Sequence, residues 1–164
     1  MIVKNKKSIR FIAFAFSLAI MVFVFIMSAQ NATESSATSG SFIRFLAPLL
    51  NGKFDIMSEA EQIAYISSLQ HFVRKAAHFS VYTALGFFLS IGTFTFSIEK
   101  IYLRAAIGFA VGAMYAVCDE IHQSFIPGRS GELRDVLIDS SGVLLGVLLI
   151  TVIYFLYKKI KACR

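Results

Sequence analysis

Three short runs of this sequence place ionisable side chains at helical spacing inside otherwise apolar stretches. Lys75, His78 and Tyr82 stand at i, i+3 and i+7 and share one helix face. Tyr115, Asp119, His122 and Gln123 fall at i, i+4, i+7 and i+8, with Glu120 about a quarter-turn away. Asp135 and Asp139 lie four apart, and their stripe continues as Gly142 and Gly146. An imidazole beside a carboxylate can move protons, so His78, Asp119, Glu120, His122 and Asp139 are the candidate acid/base residues. Lys75, Tyr82, Gln123, Arg129 and Asp135 are the candidate ligand contacts. Arg129 and Arg134 offer planar forks that suit carboxylate or phosphate, and Lys75 adds a point charge.

His78, Asp119, His122 and Asp139 are also ligand types for zinc or manganese. No tight signature such as His-Glu-x-x-His accompanies them, so no residue is assigned to a metal and the sequence names no cofactor. No Ser/His/Asp spacing marks a nucleophile. A competing reading makes the cluster a set of interhelical ion pairs, for example Asp119 with Arg129 or Lys75, that fixes the bundle. Either way, charge at membrane depth costs a few kcal/mol or more unless paired or solvated, so Asp119, Asp139 and Glu120 are expected to point inward.

The elements that must position these residues follow from hydropathy. The 164 residues are 57% hydrophobic and 16% charged, against about 25% charged in soluble domains, with mean hydropathy +0.70. Four stretches, 11–28, 76–98, 102–124 and 135–157, are long and apolar enough to cross a hydrocarbon layer as helices. The fold expected is an all-α, four-helix membrane bundle forming a single domain over 1–164. Gly108-x-x-x-Gly112 and Gly142-x-x-x-Gly146 are read as sites of close helix packing.

Lys4, Lys6, Lys7, Arg10, Lys100, Arg104, Lys158, Lys159, Lys161 and Arg164 gather on one side of this arrangement, ten of the 16 basic residues. The positive-inside rule makes both termini cytoplasmic and puts the ionisable cluster on the outer side. The net charge of +6 therefore speaks for membrane orientation rather than for nucleic acid. The first stretch exceeds the apolar core of a cleaved signal peptide and is read as a retained helix. Cys118 and Cys163 fall at opposite ends of the spans, beyond disulfide reach. In the first outer loop, Ser58-Glu59-Ala60-Glu61 reads as a capping box that opens an amphipathic helix bearing Ile63, Ile66, Leu69, Phe72 and Val73. That segment and the apolar piece Ser41–Leu50 are expected to roof the helix ends at the membrane surface. His71, on the amphipathic segment, reads as a surface residue.

Together these blocks resemble the VanZ family. The resemblance rests on Met27-Ser28-Ala29-Gln30 with Ser36, and on Arg74-Lys75-Ala76-Ala77-His78-Phe79-x-x-Tyr82-x-x-Leu85-Gly86. It rests also on Asp119-Glu120-x-His122-Gln123-x-Phe125-x-Pro127-Gly128-Arg129 and Asp135-x-x-x-Asp139-x-x-Gly142. It implies a multi-pass protein of the bacterial inner membrane, in a family whose namesake is associated with low-level teicoplanin resistance. The expected partners are membrane lipids, with a lipid-linked phosphate, a cell-wall precursor or a lipoglycopeptide in an outward-facing pocket where Arg129 holds the anion. Whether any reaction is catalysed stays open. The alternative is a non-enzymatic protein whose cluster is structural and which shields the membrane or docks a partner; a dimeric transporter ranks third.

Overall fold

The computed structural model describes residues 6–163, and these form five α-helices and one 3-10 turn, with no strand among the described residues. The helices are α1 (Lys6–Ser28), α2 (Ala32–Leu50), α3 (Glu59–Phe94), α4 (Ile101–Gln123) and α5 (Leu133–Ala162). All but α2 are long and apolar enough to cross a membrane. Their surfaces agree with that, because large apolar side chains such as Phe11 (77% exposed), Leu18 (62%) and Leu137 (63%) line the outside of the bundle. In α1 the buried positions, Ala13, Ser17, Val24 and Ser28, instead make one narrow stripe of small residues and Val24 facing the other helices.

α3 runs 36 residues without a break, so the amphipathic segment and the second span, expected as separate pieces, are one helix. Its start matches the sequence reading: the Ser58 side chain accepts from the Glu61 N–H, and the Glu61 carboxylate accepts from the Ser58 N–H at 2.8 Å. Nothing between Glu59 and Leu85 is Gly or Pro, and the first interruption, Gly86, lies where α5 supports the backbone, so no residue can end the helix at the polar Arg74-Lys75 step. α3 then stops at Phe94, four residues earlier than the hydropathy pattern extends. The turn that follows is stitched by two arginines. Arg10 donates to Thr95 Oγ1 (2.9 Å) and Thr95 O, and Arg104 donates to Ile98 O (2.6 Å) and Phe94 O.

α2 begins well before the apolar piece expected from sequence, because Asn31 and Glu34 form a second capping box. Its Ile43 and Ala47 pack with Phe54 and Ile66 in a small core beside the main one. The main core gathers Val24, Tyr82, Leu85, Leu89, Ala116, Val143 and Val147 from four helices.

The closest seam is between α3 and α5. A Cβ on Gly146 would sit 2.2 Å from Thr83 O, one on Gly142 2.5 Å from Phe79 O, and one on Gly86 2.2 Å from Val143 O. Bare backbone therefore meets bare backbone along three turns, which brings the polar stripes of the two helices face to face. Gly146→Ala is expected to push the helices apart at about 1–3 kcal/mol. Thermal melting in detergent checks this: Gly146→Ala lowers the midpoint, whereas Gly52→Ala, where an added Cβ meets nothing within 4 Å, leaves it in place. Cys118 and Cys163 are both free and exposed.

Candidate functional site

The glycine seam sets three rungs between α3 and its neighbours. Lys75 pairs with Asp135 at the mouth. One turn deeper, His78 Nδ1 faces Asp139 Oδ2 at 3.7 Å. Deeper again, the fully buried Tyr82 hydroxyl donates to Asp119 Oδ2 at 3.2 Å. Residues that share a face of α3 thus meet residues that share a face of α5 or α4.

Asp119 is the hub of the lower rung. Its Oδ2 also accepts from Ser28 Oγ and from Gln123 Nε2, each at 3.0 Å, while Oδ1 is buried without a partner. The expected ion pairs of Asp119 with Lys75 or Arg129 do not form. Arg129 instead donates to Gln123 Oε1 (3.0 Å), Ser28 O (3.4 Å) and Ser35 Oγ (2.7 Å). It is placed there by a tight turn in which the Arg129 N–H donates to Ile126 O at 3.1 Å and Gly128 takes φ 76°. Pro127 and Gly128 occupy the positions a type II turn requires of them.

His122 departs from the pocket. Successive helix residues turn by about 100°, so Glu120 and His122 point in nearly opposite directions on either side of Asp119. Glu120 turns toward the start of α5, where its Oε1 accepts from the Glu132 N–H at 2.6 Å. His122 turns toward α1 and stacks on Phe25, with ring centroids 4.4 Å apart. The shared face read from sequence was too wide to be one site.

The two upper rungs open onto a polar cavity of about 170 Å³, whose lining includes Lys75, His78, Glu120, Gln123, Arg129, Asp135 and Asp139. His71, read as a surface residue, is exposed and stands at its rim. Arg74 also lines this cavity and has no hydrogen bond or ion pair among the described residues. Burial lowers the Arg129 pKa from its ordinary value and repulsion from the Arg74 guanidinium adds to it, with Asp119 and Glu120 pulling the other way. Arg74 and His78 line a second space as well, an apolar groove of about 280 Å³ walled by Phe23, Val24, Met27, Phe42, Val73 and Val81.

The geometry accords with a comparison against known families, in which the model described as VanZ/LLP1 matches residues 12–154. The chain belongs to the VanZ-like family. The matched region reaches all four spans and contains every residue of the candidate site. No curated protein and no solved structure matches the chain. Three residues that the sequence reading did not single out join the candidate site: Ser28 and Ser35, which complete the network, and Arg74. Ser28 and Arg74 stood inside blocks that carried the resemblance, and that was their only signal.

Proposed function

We propose that this VanZ-like protein binds a phosphate-bearing lipid of the cell envelope, with the phosphate in the polar cavity and the chain in the apolar groove. One observation carries the reading: the two spaces meet at Arg74 and His78, so a charged site and a hydrocarbon site share a wall. A lipid phosphate has that shape and chemistry. Arg74, with its fork uncommitted, holds the anion. Arg129, spent on Gln123, Ser28 and Ser35, positions the walls.

The basic residues at the opposite end of the bundle support a topology with both termini cytoplasmic and the cavity opening outward in a bacterial inner membrane. The α2 helix and the first part of α3 then roof the outer ends. Part of the cluster is structural under this reading, since Asp119, Gln123 and Arg129 tie helices together. The upper rungs are the functional part.

Purified protein in detergent is expected to bind a polyprenyl phosphate and to discriminate against the matching polyprenol. Arg74→Gln is expected to weaken the phosphate by about tenfold or more, the scale of one lost charge-assisted contact. Arg134→Gln, on an exposed residue outside the cavity, is the control. Equal binding of alcohol and phosphate, or an Arg74→Gln variant that binds like the parent, refutes the reading. The link to teicoplanin implied by the resemblance is tested in cells, where expression is expected to raise tolerance and Arg74→Gln to abolish the rise.

A further inference from the structure

Asp119 and Asp139 are 3% and 2% exposed, and each places a carboxylate oxygen within 4.8 Å of the other's and of a ring nitrogen of His78. We infer that His78, Asp119 and Asp139 form a binding site for a divalent first-row metal ion, zinc or manganese, on the floor of the polar cavity.

The orphaned oxygen argues for it first. Asp119 Oδ2 has three donors, yet Oδ1 is buried with none, and a buried carboxylate oxygen without a partner is costly in a protein interior. A cation bound there satisfies it. The three donors also hold the carboxylate in one orientation, as the outer hydrogen bonds of metal ligands do.

The spacing argues for it independently. At 3.7 Å, His78 Nδ1 and Asp139 Oδ2 are too far apart for a good hydrogen bond. They are close to the separation of two ligands on one ion, since bonds of about 2.1 Å in a tetrahedron put ligand atoms about 3.4 Å apart. The remaining pairs lie inside 4.8 Å. Charge points the same way, because two carboxylates buried together between helices call for a compensating cation.

One imidazole with two carboxylates is a donor set suited to zinc or manganese rather than to copper(I), which favours sulfur. The ligands come from three different helices, α3, α4 and α5, whose approach is fixed by the glycine seam. His78 and Asp139 line the cavity while Asp119 lies behind them, so the open coordination positions face the cavity. The sequence offers these three with His122 as ligand types but cannot group them, because they stand 41 and 20 residues apart along the chain, at no recognised spacing.

The test uses untagged full-length protein in detergent, stripped with EDTA and titrated separately with zinc and manganese by calorimetry. Metal retained after desalting is counted by mass spectrometry. One equivalent of zinc or manganese is expected to be retained, and added metal to raise the melting temperature until EDTA reverses it. Asp139→Asn and His78→Gln are each expected to weaken binding by about 100-fold or more, beyond the 10–100-fold cost of losing a supporting residue. His122→Gln and His71→Gln are expected to bind like the parent. Retention that survives in the double variant His78→Gln/Asp139→Asn, or that disappears with His71 or His122, overturns the site. A parent protein that neither retains metal nor gains stability from it overturns the site as well. Metal alone is the probe, so failure here leaves the lipid-phosphate reading standing.

Discussion

Asp119→Ala is expected to abolish accumulation of folded protein. The substitution removes the acceptor of three buried donors at once, the Tyr82 hydroxyl, Ser28 Oγ and Gln123 Nε2. Gln123 Nε2 keeps Ser28 Oγ as an acceptor at 3.3 Å, but the Tyr82 and Ser28 hydroxyls lose theirs. A buried donor left without a partner costs about 1–3 kcal/mol, and two of them consume a large part of the 5–15 kcal/mol typical of a folded domain. A cavity is left between α1, α3 and α4, which adds to the loss. Asp139→Asn is expected to behave differently, because among the described residues the polar partner of the Asp139 carboxylate is His78, at 3.7 Å. Removing its charge relieves a buried carboxylate while preserving its shape, so in EDTA-stripped protein the variant folds and melts at or above the parent temperature. Monodisperse yield by size-exclusion chromatography and melting temperature in detergent, measured side by side, separate the two. Equal loss of yield in both variants overturns the division of the cluster into a structural lower rung and an open upper one.

That division also marks what was legible in the sequence. Helical spacing placed Lys75, His78 and Tyr82 on one face, and the structure ranges them against Asp135, Asp139 and Asp119 in the same order. Hydropathy found the spans because crossing a hydrocarbon layer demands long apolar runs. It misplaced the ends for a physical reason. Where α3 starts is decided by the Ser58–Glu61 cap and by the absence of a breaker up to Leu85, not by where polarity changes. His122 shows the limit of the face argument. A stripe three or four residues wide covers an arc that several neighbouring helices can divide between them, and α1 took His122 through Phe25.

The arginines show a different limit. Arg129 was expected to hold the anion and Arg74 was given no role, whereas the structure engages Arg129 with Gln123 and Ser35 and leaves Arg74 lining the cavity. Which guanidinium is left over depends on which hydroxyls and amides lie within reach. Ser28, Ser35 and Gln123 come from three helices, and no local pattern announces that they converge on Arg129. Single hydroxyls such as Ser28 and Ser35 carry no periodicity of their own.

Arg129→Lys is therefore expected to cost nearly as much as Arg129→Ala, about 2–5 kcal/mol, from the loss of charge-assisted hydrogen bonds that only a planar fork can make together. Nη1 reaches Gln123 on α4 and the last carbonyl of α1, and Nη2 reaches Ser35 on α2. A lysine ammonium, a compact charge at one point, can sit at either end of that span but not both. The side chain is thus the clamp that joins the α4–α5 turn to the α1–α2 corner, where Ala32 and Gly128 already touch closely enough that a Cβ on Gly128 would lie 3.0 Å from Ala32 Cβ. Releasing it loosens the first half of α2, where Gln70 Nε2 still donates to Ser36 O at 2.9 Å, before the far half, which is packed through Ile43 and Ala47 against Phe54 and Ile66. Hydrogen exchange measured by mass spectrometry is expected to quicken over residues 31–40 in Arg129→Lys while 43–50 and the spans stay protected. Uniform quickening across all helices makes Arg129 a support of the whole bundle instead, and unchanged exchange at 31–40 removes the clamp altogether. Because α2 forms one wall of the apolar groove through Phe42, Ser35 and Ser39, a loosened α2 also weakens binding of a lipid phosphate without any change at Arg74. A lower affinity in Arg129→Lys that is restored by a disulfide engineered between α2 and the turn identifies Arg129 as a positioning residue; affinity that stays low with α2 fixed assigns it a direct contact with the anion.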